Sequence, residues 1–155
     1  MNGEIDQEAR KWGMWCHLSA IVAWIPQILL VGVGIPLPIP LLSIILPLII
    51  WLTNKQKHSF IDAQGKESLN FQISLLIYSI IACIIAVFLF FTTCGAMYNQ
   101  NANQLMVNLL FIATILMGIL LLLIVIFQIF LVIFASVKAY KGQLYRYPFT
   151  IRFLR

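Results

Sequence analysis

Few side chains beyond the first eleven residues can move a proton or hold a metal: Cys16, His17, His58, Asp62, Glu67, Cys83 and Cys94. His58 and Glu67 are the pair that reads as general acid and base, an imidazole and a carboxylate in one polar segment. Charged groups in such segments are usually solvated, so no catalytic residue is assigned to either. Cys16, His17 and His58 are ligand types for zinc, but their spacing matches no metal motif, and three cysteines without CxxC pairing give neither a metal centre nor a disulfide framework. They read as small packing residues. The fragment AQGKES, 63–68, has the end of a phosphate-binding loop without its upstream glycine, and neither GxSxG nor HExxH occurs. The expectation is a protein that is not an enzyme and carries no metal and no cofactor.

What stands out instead is polarity at particular places. Asp62, Lys66 and Asn70 recur every four residues, one stripe of a helix, and Glu67, Asn70 and Ser74 make a neighbouring stripe. Asp62 is placed to cap that helix at its start. With Gln72 these residues, Asp62, Lys66, Glu67, Asn70 and Gln72, form the candidate cytoplasmic interaction site. Gln27, Asn108 and Gln128 add amides inside or at the ends of apolar runs, where an unpaired amide is costly and finds an interhelical partner.

The elements that must position these groups are membrane helices. Of 155 residues 62% are hydrophobic and only 10% charged, against about 25% charged in a soluble domain. A soluble core cannot absorb that much apolar surface. Residues 1–14 carry Ile5, Ala9 and Trp12 at helical spacing, continued by Trp15, an amphipathic segment on the membrane surface. Spans are expected at about 15–33, 40–53, 69–91 and 105–137. The Pro-rich stretch 32–40 cannot be regular helix and connects the first two, either between full crossings or within a re-entrant hairpin. The fourth run is too long for one bilayer, so a break near Gly118 or a protruding end is expected. Together they form a single all-α membrane domain.

Orientation follows from charge. All ten Lys and Arg residues fall before the first span, in the island 53–74, or in the tail 138–155, and the formal net charge is +5. Basic loops stay in the cytoplasm, which predicts a polytopic integral protein of the cytoplasmic membrane with four transmembrane helices, N-in and C-in. Thr92 to Gln104 is then an uncharged external loop. Lys138, Lys141, Arg146, Arg152 and Arg155, interleaved with aromatics, are expected to contact lipid, each cation drawn to anionic headgroups by about 1 kcal/mol near the surface. The basic residues flank apolar spans and do not form a patch on a soluble face, so no nucleic-acid partner is expected.

The segment WLTNKQKHSFIDAQGKESLNFQIS, with an upstream HLS, a Pro-rich turn and the closing KAYKGQLYRYPFTIRFL, resembles a family of small four-span bacterial membrane proteins of unknown function. That family is distantly similar to Tic-twenty-type chloroplast import components. The matching features are Trp51, Ile61 and Asp62, Gly65-Lys66-Glu67, Asn70-Phe71-Gln72, Gly142 and Arg146-Tyr147-Pro148-Phe149. The resemblance implies a four-span α-helical fold and hands over no activity.

Two functions fit these features. One is an accessory or structural component of a membrane complex, docking a membrane-protein partner or anionic lipid through its polar island and basic tail. The alternative is a homo-oligomeric channel or translocation component, because four short spans enclose too little volume for a pore of their own.

Overall fold

A computed structural model of the chain describes residues 5–32, 39–99 and 101–154. Its regular elements are α1 (Gln7–Val22), α2 (Trp24–Gly32), α3 (Ile39–Asn54), α4 (Ser59–Tyr98) and α5 (Gln104–Tyr140). The fold class is all-α. Two compact units result, one of residues 1–76 with 129–155 and one of residues 77–128. Both α4 and α5 contribute to each.

At 40 and 37 residues, α4 and α5 are long and apolar enough to cross a membrane, and only 6% and 0% of their most apolar windows are buried. A soluble protein would cover such helices, so these need lipid, and the chain is a membrane protein.

Helix boundaries follow local chemistry and depart from the expected spans in four places. First, α1 starts at its N-cap Asp6, whose carboxylate accepts from the Ala9 amide at 2.6 Å, and runs to Val22. The expected surface segment and the start of the first span are thus one helix. It stops there because Pro26 has no N–H for the Val22 carbonyl and its ring would clash with that group; in α2, Pro26 falls in the first turn, where the missing donor is harmless.

Second, α4 starts earlier than Asp62. His58 is its N-cap, with Nδ1 accepting from the Phe60 amide at 3.0 Å and the carbonyl accepting from Ile61 and Asp62. Third, α4 continues through the first half of the expected external loop. Thr92 and Thr93 satisfy their hydroxyls on the Phe88 and Leu89 carbonyls, three or four residues back, and so cost the helix little. Fourth, α5 is unbroken at Gly118. Of the two expectations for this run, the break at Gly118 is therefore not what forms, and at roughly 56 Å against a bilayer core of about 30 Å the protruding end is the one that stands. The Pro-rich connector lies outside the described residues, as do the side chain of Gln27 and all of Arg155.

In the unit of residues 1–76 and 129–155, α1 packs on α3. Two glycines allow close approach: a Cβ on Gly13 would sit 2.8 Å from the Phe60 ring, and one on Gly65 would overlap Trp51. Around these contacts lie Ala9, Cys16 and Ile61 with Trp12, Ile50 and Trp51, and a second cluster of Phe71, Leu131, Val132, Ala135 and Tyr147.

Candidate functional site

The tail is not a loose basic extension. α5 ends in a Schellman turn, with the Gln143 amide bonded to the Lys138 carbonyl and the Gly142 amide to that of Ala139, each at 2.9 Å. Gly142 takes the left-handed conformation this turn requires, φ 75°. Beyond it the chain returns as an extended strap held by side chains of α4. Asn70, 1% exposed, accepts from the Phe153 and Leu154 amides at 3.0 and 2.8 Å and donates to the Leu154 carbonyl at 2.9 Å. One turn on, Ser74 accepts from the Ile151 amide at 2.8 Å and donates to the Asn70 carbonyl at 2.7 Å.

A second set of bonds holds the start of the strap. Gln64 donates through Nε2 to the Gln143 carbonyl at 2.8 Å, which leaves its Oε1 to accept from His17 Nε2 at 2.8 Å. With that nitrogen protonated, His17 Nδ1 accepts from the Tyr147 hydroxyl at 3.0 Å. The carbonyl of Gln143 thereby fixes every donor and acceptor in the chain Tyr147, His17, Gln64. All three side chains are buried, and Tyr147 also stacks on Phe71 with ring centroids 3.9 Å apart. Burial, with the charges of Tyr145 and Glu67, pushes the Tyr147 phenol well above 10. Ser68 adds a bond to the Cys16 carbonyl at 2.6 Å.

The expected interaction site separates into two parts. Asp62 and Lys66 are a half-exposed ion pair at 2.7 Å, with Asp62 also accepting from the Trp51 indole at 2.9 Å. Glu67 lies 3.8 Å from Arg152 of the strap. Asn70 and Gln72 are buried, and Asn70 is committed to the strap. His58 and Glu67 are not brought together, since nine residues of helix separate them by roughly 13 Å and each has another partner. Of the tail cations expected to meet lipid, Lys138 lies 5.5 Å over the Phe134 ring and Arg152 faces Glu67, while Lys141 and Arg146 are exposed.

His17, Gln64, Ser68, Gln143 and Tyr147 are absent from the sequence-derived site. One signal exists for Gln64 and Ser68. Ile61, Gln64, Gly65, Ser68 and Gln72 recur three and four apart, a helical face that mixes small and polar residues and is buried throughout.

The unit of residues 77–128 offers little for chemistry. Thr93 and Thr114 lie with hydroxyl oxygens 2.9 Å apart, and an open cleft of about 310 Å³ lined by Ala86, Phe90, Thr114, Met117 and Gly118 is almost wholly apolar.

Among known proteins, the model of the MamF/MmsF family, the magnetosome magnetite crystal formation protein family, matches residues 8–154. No curated protein and no solved structure matches significantly. The family match overturns the resemblance to the four-span family related to Tic-twenty-type import components. Of the residues that suggested it, Gly65 lies against Trp51, and Asn70, Gly142 and Tyr147 shape or hold the strap.

Proposed function

Because this chain belongs to the magnetosome magnetite crystal formation family, we propose that it is a non-enzymatic accessory component of the membrane in which those crystals form. It acts by presenting a rigid, cation-bearing face that docks a membrane partner and anionic headgroups. It crosses the bilayer four times, with both termini and the 53–74 segment on the cytoplasmic side, as the placement of all ten Lys and Arg residues supports.

The strap is the observation that carries this reading. A lipid-contacting tail needs no fixed shape, whereas this one is bound by buried, hydrogen-bonded side chains of α1 and α4, so Lys141 and Arg146 are held at set positions on a folded surface. A non-enzymatic role is supported by where the proton-active groups are used: both His17 nitrogens and His58 Nδ1 are occupied in structural bonds, and Glu67 faces Arg152.

The test is complementation in a magnetite-forming cell that lacks the chain. The variant carrying Asn70→Ala and Ser74→Ala, inserted in the membrane at the normal level, is expected to leave crystals small or few. Full restoration of crystal size by that variant defeats the docking role. A tag placed in residues 99–103 that reacts with impermeant reagents only from the cytoplasm defeats the topology.

A further inference from the structure

Arg10 has a position that neither the α1 cap nor the strap explains. Its Nε is buried and has no acceptor. The guanidinium lies against Gly142, where a Cβ would stand 3.1 Å from Nε and 3.5 Å from Cζ. Its task is not to cap α5, because the Val137, Lys138 and Ala139 carbonyls already accept from the amides of Lys141, Gln143 and Gly142. A buried guanidinium N–H without an acceptor is expensive, and none of the described residues supplies one to Arg10 Nε.

The surrounding charge points to what that acceptor is. Lys11 follows Arg10 on α1 and Lys141 precedes Gly142; both are exposed, and among the described residues neither has an acid within 4 Å. The described acids are engaged elsewhere: Asp6 caps α1, Glu8 lies 3.9 Å from Lys57, Asp62 pairs with Lys66 and Glu67 faces Arg152. Lys55 and Lys57 also lie over the rings of Trp51 and Trp12. Two cations without a described acid within 4 Å therefore adjoin, in sequence, the two residues that meet here, Arg10 and Gly142. A guanidinium fork with an exposed lysine on the residue next to each side of that contact suits the oxygens of a phosphate.

We propose that Arg10, Lys11 and Lys141 form a binding site for the phosphate of an anionic phospholipid headgroup. The lipid is the fitting source because these residues adjoin the basic ends of helices that the bilayer itself surrounds, where headgroups are concentrated. The site rests on the reading of this face as one that meets headgroups, and it narrows that reading from a diffuse basic tail to three named side chains.

The experiment titrates the purified full chain in mild detergent with phosphatidylglycerol and counts bound lipid by native mass spectrometry. The Lys11→Gln, Lys141→Gln variant is expected to bind about tenfold more weakly, while Lys55→Gln with Lys57→Gln, an equal loss of charge, changes binding by less than about twofold. Arg10→Lys, which keeps the charge and loses the fork, weakens binding as well. Unchanged thermal unfolding by tryptophan fluorescence shows that the variants fold. Equal losses in the two double variants overturn the site while leaving headgroup docking intact, and no loss in either overturns both. Displacement of the lipid by millimolar inorganic phosphate overturns the lipid assignment, since a free anion then suffices.

Discussion

Residues 1–76 with 129–155 and residues 77–128 are built partly from the same two helices, yet they are held together by different means. In the first unit the bonds that matter join residues far apart in sequence: His17 to Tyr147, Gln64 to Gln143, Asn70 to Leu154. In the second, hydroxyls of Thr92, Thr93 and Thr114 return to carbonyls of their own helices, and Thr93 also meets Thr114 across the two segments. Its large side chains, Phe88, Phe91, Leu116 and Leu122 among them, stay exposed for lipid. Polar groups tie distant parts of the chain together in one unit; in the other the threonine hydroxyls are satisfied mainly within their own helices.

The sharpest way to break this contrast is Asn70→Ala. It leaves two amides and a carbonyl of the strap without their partner, and a loss of about 2 kcal/mol is expected, read as rapid tryptic cleavage at Arg152 in the folded protein. Wild-type resistance in the variant would mean the strap is held by its aromatics alone.

Next is a glycine pair. Gly65→Ala drives a methyl into Trp51 and should destabilise by about 2 kcal/mol, whereas Gly118→Ala meets nothing within 4 Å and should stabilise by up to about 1 kcal/mol. Thermal unfolding in detergent reads both. Tyr147→Phe, which leaves His17 Nδ1 without its donor, is expected to lose about 1 kcal/mol.

The same residue gives a pH signature. Its phenol is held above its ordinary 10 in the folded chain, so the unfolded chain gives up the proton first. Stability from this group is therefore complete below pH 10 and declines as pH rises above it. Alkaline unfolding that is unchanged in Tyr147→Phe would show that other groups set it. Thr93→Val should matter least, about 0.6 kcal/mol, the average for an interhelical bond in lipid.

What the sequence makes legible follows from these mechanisms. Apolar runs reveal α4 and α5 because hydropathy is a sum over many residues, and the polar island is visible because it interrupts that sum. The strap leaves no comparable trace. Asn70 and Ser74 bond to backbone amides and carbonyls of Ile151, Phe153 and Leu154, groups that nearly every residue carries, so the letters at the receiving end record nothing. The stripe through Asp62, Lys66 and Asn70 was readable as a helix face but not as one that dives under the strap after Lys66. The break between α1 and α2 was written in Pro26, whose effect falls four residues upstream of itself.

The clamp on the strap also sets an order of events. Asn70 meets Leu154 across 84 positions of chain, and at about 5–20 residues per second a ribosome needs on the order of ten seconds to supply it. Throughout that interval the nascent protein carries an amide, a hydroxyl and an imidazole whose partners have not been made. A stalled or shortened product would keep them open, so the last residues to be made are the ones that close the first half of the fold.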